Sequence, residues 1–141
     1  PKETYAIWND IIEAIGFYPY LESQKVYIEE KSLSDEIRIS SFRSDYLEKT
    51  FMHKQQKQLS NILMQEKNVI ASAPTSFGKS LLIEEIVASQ IYKNIVIIQP
   101  TLALLDETRL KLKKYNQQYK IIVRTSQIPT EDKGNLFLLT A

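Results

Sequence analysis

The sequence has no cysteine, one histidine and three glycines. Without cysteine there is no disulfide framework, no thiolate metal site and no cysteine nucleophile. With His53 alone, a multi-histidine metal centre is excluded. No charge of one sign dominates: 18 Lys and Arg stand against 17 Asp and Glu, a formal net charge of +1. Bulk charge therefore does not announce a nucleic-acid partner, and any such contact must be local. Apolar runs such as Ile95 to Ile98 are far shorter than the ~20 residues of a membrane helix. Glycine, at average usage of about 7%, would number roughly 10 in such a chain, so each of the three is worth reading against its neighbours.

What is present is ordinary for a folded domain. The chain has 141 residues, 43% of them hydrophobic and 25% charged, enough to bury a core and unlike a disordered segment. It opens at Pro1 rather than Met, which reads as a processed or cut start. Residues 1–10 lack the basic-then-apolar pattern of an export signal. A cytoplasmic, non-membrane protein is the expectation.

The chain changes character near residue 68. Tyr5, Trp8, Ile12 and Ile15 recur at helical steps, with a stop at Gly16 and Pro19. Their spacing points to core packing rather than base stacking. Leu21, Gln24, Tyr27 and Ile28 suggest a second short helix. Residues 32–51 are ambiguous, since Ser32 to Asp35 could cap a helix while Ile37 and Ile39 alternate like a strand. Leu59, Ile62 and Leu63 place another helix at about 53–66. Beyond 68, apolar runs at 69–71, 95–98, 121–123 and 136–139 alternate with helical patterns at 81–92 and 102–115. The β-branched run at 95–98 fits a strand buried on both faces. Such alternation argues for βαβ units and a mainly parallel sheet with flanking helices, an α/β fold.

Ala73-Pro74-Thr75-Ser76-Phe77-Gly78-Lys79-Ser80 matches the phosphate-loop pattern, with alanine at the usual first glycine. Loop N–H groups and the following helix N-terminus would form an anion cradle. Gly78 lets the backbone curl close to phosphates. Lys79 would reach the β- and γ-phosphates of ATP, and the Ser80 hydroxyl would ligate Mg2+. The context this pattern requires is a strand at 69–71 before it and a helix after it.

These residues resemble motif I of superfamily-two helicases, closest to the DEAD/DEAH type. Pro100-Thr101-Leu102-Ala103-Leu104-Leu105, directly after the run at 95–98, is similar to motif Ia. Leu138-Leu139-Thr140-Ala141 resembles the entry to motif Ib. Gln55 matches the glutamine that reads adenine in many of these helicases, with Gln58 next in order. The resemblance covers about residues 51–141. It implies the first part of a RecA-like P-loop NTPase domain, preceded by a helical segment over residues 1–50. It implies ATP and Mg2+ as cofactors, with Gln55 and residues 74–80 at the nucleotide. Pro100, Thr101 and Thr140 are then expected at the backbone of a DNA or RNA partner. Phe77 is large where many helicases carry a small residue.

Physical chemistry gives each residue a plainer role beside the implied one. A glutamine's paired donor and acceptor suit the adenine edge, though exposed helical glutamines commonly do nothing specific. Thr101 at a strand-to-helix junction is a natural N-cap. Thr125 and Ser126 fit a turn as well as a phosphate contact. Lys111, Lys113 and Lys114 complement a helix dipole. Asp35-Glu36 and Asp106-Glu107 read as surface charge, and His53 as a polar neighbour of Gln55. No acidic Walker B pattern follows an apolar run in this chain, and a second RecA-like domain would have to lie elsewhere in a full-length helicase. The chain alone is therefore expected to bind nucleotide weakly and not to hydrolyse it. Other readings are a restriction-type double-strand DNA translocase or another phosphate-loop ATPase, and a non-catalytic nucleotide-binding module.

Overall fold

A computed structural model describes residues 4–16, 20, 33, 37 and 40–141. The short helix expected at 21–28 and the pair Asp35-Glu36 lie outside the described residues. The chain divides into two compact units, Pro1–Ser72 and Ala73–Ala141.

In the first unit, helix α1 spans Tyr5–Ala14. It ends at Gly16, which has φ 75°, as the sequence led one to expect. Its apolar residues behave otherwise. Trp8 is 57% exposed, and Ile7, Ile11 and Ile15 are exposed with it. Core packing of Trp8 is thus not what the fold provides. Residues 42–52 form a narrow loop closed by the isolated antiparallel bridge between Arg43 and Phe51. Ser44 knots it: its Oγ accepts from Leu47 N at 2.7 Å and Tyr46 N at 3.2 Å, while Ser44 N donates to Thr50 O at 2.8 Å. Met52 is fully buried. Helix α2 follows over Lys54–Leu63.

The second unit holds helix α3 (Lys79–Ser89), strand β1 (Asn94–Gln99), helix α4 (Leu102–Leu112), strand β2 (Tyr119–Ile122) and strand β3 (Gly134–Thr140). The three strands are parallel in the order β1-β3-β2. Since β3 is central, its alternate residues Leu136 and Leu138 are both fully buried. Ile97 lies opposite Leu138, and Ile121 opposite Leu136. That face packs with Val87 of α3 and with Leu105 and Leu112 of α4. Burying one such side chain is worth about 1.5–3 kcal/mol, so this cluster is the main stabilising element of the unit.

Two expectations are corrected. First, Asn68 to Ala71 is not a strand, and Ile70 is fully exposed. A strand exists only when its N–H and C=O groups find a paired neighbour. Among the described residues no strand pairing includes this segment. Second, β1 is not buried on both faces. Ile97 is buried, whereas Val96 is 57% and Ile98 62% exposed, because α3 and α4 contribute their buried residues to the other face.

The centre of the sheet also contains a polar joint. Asn135, buried at the start of β3, accepts from Thr130 N at 2.8 Å and donates to Thr130 O and to Asn94 Oδ1. It ties the 123–133 connection to β1. Beside it, Gly134 meets Tyr119. A Cβ there would strike the Tyr119 ring and lie 2.9 Å from Lys93 O. Tyr119 cannot easily yield, because its hydroxyl donates to Tyr92 O at 2.7 Å. Burial also raises the Tyr119 pKa.

Candidate phosphate-binding and nucleic-acid site

The loop before α3 is built by three successive backbone choices. Pro74 is extended, at φ −62° and ψ 167°. Thr75–Phe77 then makes one 3-10 turn, with Phe77 N donating to Pro74 O at 3.2 Å. Gly78 adopts the left-handed conformation, φ 78° and ψ 37°, and starts α3. A side chain at that φ would cost about 1–2 kcal/mol, so glycine is the residue that fits. The first N–H groups of α3 have no partner within the helix, and the positive end of its dipole faces the loop.

Lys79 folds back over this loop. Its ammonium donates to Ala73 O and Pro74 O, each at 2.8 Å. Two neutral carbonyls thus hold the lysine across the loop, and an anion's oxygens in their place would form stronger bonds with it. Ser80, one residue on, is exposed. No residue of 73–80 is buried.

The turn into α4 resembles an ordinary cap. Thr101 is extended, and its Oγ1 accepts from Leu104 N at 3.3 Å. Gln99 lies opposite Thr140 in the β1–β3 register, and Ala141 N donates to Gln99 O at 3.1 Å. Because the strands are parallel, Pro100-Thr101 and Thr140 emerge at the same end of the sheet, on neighbouring strands about 4.8 Å apart. Thr101 and Thr140 are both exposed.

Gln55 belongs to the first unit, in the opening turn of α2. The helix has a capping box in which His53 N donates to Gln56 Oε1 at 3.0 Å and Gln56 N approaches His53 Nδ1 at 3.4 Å. Gln56 is buried by this role. Gln55 is exposed, with its Oε1 3.1 Å from the same His53 Nδ1. That nitrogen can accept from Gln56 or donate to Gln55, not both, so the tautomer decides which glutamine it holds.

A charge cluster behind the loop escaped the sequence reading. Glu84 of α3, with a side chain only 7% exposed, pairs with Lys111 at 2.8 Å and closely with Lys114. Lys111 also donates to Ser80 O at 3.2 Å, so α4 is tied to the first turn of α3. Burial on its own would raise the Glu84 carboxyl; the hydrogen bonds and charges of Lys111 and Lys114 outweigh it and hold the group below its usual range. The Glu84 hydrogen bond correspondingly raises Lys114. Lys111 and Lys114, expected to complement the helix dipole, lie at that helix end and are ion-pair partners of Glu84 as well. No periodicity links residue 84 to 111, so only the packing of two helices reveals the pairing. Asp106 pairs with Arg109 at 3.2 Å on the surface.

A model of the DEAD/DEAH box helicase family matches residues 53–137, more than half of the chain. The Escherichia coli (strain K12) protein named anti-bacteriophage protein B is 29% identical over 141 residues, which covers 99% of this chain and 19% of that protein. The chain thus spans about a fifth of the length of the curated relative it matches. No solved structure matches.

Proposed function

The chain belongs to the DEAD/DEAH box helicase family, and we propose that it forms the ATP-binding portion of an ATP-dependent nucleic-acid helicase or translocase. The observation that carries this reading is the loop at 73–80: a left-handed Gly78, a helix N-terminus, and the Lys79 ammonium drawn over two loop carbonyls. In this reading Lys79 binds the β- and γ-phosphates, residues 74–78 cradle them, and Ser80 holds Mg2+. Among the described residues no group of three His, Asp or Glu could hold a metal. Magnesium would therefore arrive with the phosphates, as suits an ion that dehydrates reluctantly. Bound ATP–Mg supplies the phosphoryl group; the residues here bind and orient it.

Gln55 is assigned to the adenine, and Pro100, Thr101 and Thr140 to a nucleic-acid backbone. The assignment to residues 100–101 and 140 rests on their common place at the carboxyl end of the sheet. Residues 1–50 are taken as a helical segment, and 51–141 as the first part of the ATPase domain. Hydrolysis also needs an acidic residue to hold the metal and position water. Among the described residues β1 and β2 do not lead into one, and we assign turnover to a full-length protein with a second RecA-like domain. No helix among the described residues is long and apolar enough to cross a membrane, and a cytoplasmic setting fits the proposed partners. The relative's name suggests defence against bacteriophage as the biological setting.

The test is ATPase activity of the full-length protein with and without single-stranded DNA or RNA, wild type against Lys79→Ala. Loss of nucleic-acid-stimulated turnover in the variant is expected. Equal rates would sink the motor reading.

A further inference from the structure

We propose that the groove between α4 and the edge strand β2 is a second nucleic-acid contact, binding successive phosphates of a single strand through Arg109, Lys113 and Arg124. This rests on the helicase reading but uses residues outside motifs I, Ia and Ib.

The groove has a volume of about 710 Å3. One wall is the outer face of α4 and the 3-10 turn Lys113–Tyr115 that continues it, where Arg109 and Lys113 stand four residues apart and so share a side. The other is the end of β2 and the turn after it, where Arg124 stands; Ile121 and Val123 contribute the apolar part of the lining. Edge strands normally offer unpaired backbone groups to a neighbouring chain. Here the end of the edge is closed. Gln127 Oε1 accepts from Val123 N and Arg124 N, both at 2.8 Å, and Gln127 N donates to Arg124 O at 3.0 Å. That argues against strand addition at this point and fixes the turn carrying Arg124.

The charges favour a polyanion. The groove has three cations and one carboxylate, Asp106, which is engaged by Arg109. The Lys113 ammonium and the Arg124 guanidinium have no side-chain hydrogen bond or ion pair among the described residues. Their neighbours Lys111 and Lys114 are engaged by Glu84, so Lys113 is the lysine of this helix end that is left to face the groove. Cations on two walls of an open groove suit spaced phosphodiesters better than one compact phosphate. The location agrees. Arg124 follows β2 as Thr101 follows β1, and the parallel sheet puts both, with Thr140, at one end. A strand crossing that end would pass from β1 over β3 to Arg124 and would then turn down the groove to reach Arg109 and Lys113, because α4 runs back toward the amino end of the sheet.

The experiment measures binding of a labelled single-stranded DNA, and of the same sequence in RNA, to the full-length protein across a salt series. Each phosphate contact to a single strand contributes about 0.7 to the slope of log K against log salt. Lys113→Gln with Arg124→Gln should lower the slope magnitude by roughly 1.4. Lys114→Gln removes one charge from the same helix end and should leave the slope unchanged. A wild-type slope in the double variant would overturn the groove while leaving the helicase reading standing. A drop with Lys114→Gln as large as that of Lys113→Gln alone would also overturn it, since bulk charge would then explain the effect. No nucleic-acid binding by the wild type would remove the parent reading and the groove with it.

Discussion

Replacing Glu84 by Gln removes one charge and almost no volume, and it isolates the link between α3 and α4. Glu84 accepts from two lysines whose side chains are 37% and 58% exposed, while its own is 7% exposed. Hydrogen bonds to a charged group are worth about 1.5–3 kcal/mol and neutral ones about 0.5–1.5. Gln offers one acceptor oxygen where Glu84 uses two, so one of the two lysine bonds is lost, and solvent screening of the partly exposed lysines reduces the loss. The total is about 1–2 kcal/mol, a factor of roughly 5–30 in a local opening equilibrium. Hydrogen exchange of amides in residues 79–89 and 102–112 of the full-length protein should accelerate by that factor at pH 7. The pH dependence gives a second check. The native Glu84 pKa lies below 4.5, so its stabilisation is fully present above 4.5 and is lost as pH falls through the native value. The difference between variant and wild type should shrink over that acid range. Lys114 is raised above 10.5, so its share is present below 10.5 and is lost as pH rises through the raised value. Unchanged exchange at pH 7, or a difference that persists undiminished in acid, would refute the reasoning.

Other substitutions probe separate parts of the structure. Gly78→Ala forces a side chain into the left-handed conformation, and should cost about 1–2 kcal/mol and weaken ATP binding; titration with a fluorescent ATP analogue checks this. Gly134→Ala drives a Cβ into the Tyr119 ring, so overpacking should cost about 1–3 kcal/mol, read from urea unfolding. Leu138→Ala leaves a cavity at the centre of the sheet and should cost about 2–5 kcal/mol in the same assay. Thr101→Ala loses the α4 cap, a cost of about 1 kcal/mol, and should also weaken nucleic-acid binding; binding equal to wild type would leave Thr101 only its capping role.

Elements whose stability comes from local pattern were legible in the sequence. The β-branched run at 95–98, the Thr101 cap and the stop at Gly16 each follow from a few adjacent residues. What depends on pairing at a distance was not. Val69-Ile70-Ala71 has a strand's composition, yet composition cannot supply the neighbour a strand needs. Val96 and Ile98 belong to a run that suggests two buried faces, but burial depends on what packs against each. At the candidate site, the left-handed turn at Gly78 and the helix that starts at Lys79 could be read directly, because that backbone path is specified by consecutive residues. The Glu84–Lys111 pair and the Asn135 joint were invisible, since each joins side chains brought together only by the fold.

The central claim is that residues 73–80 bind the phosphates of ATP through Lys79. Calorimetric titration of the full-length protein with ATP–Mg2+, wild type against Lys79→Ala, tests it most directly. Loss of a charge-assisted contact of about 1.5–3 kcal/mol predicts affinity lower by at least roughly tenfold in the variant. Equal affinity in the two proteins, with the fold of the variant intact, would contradict it.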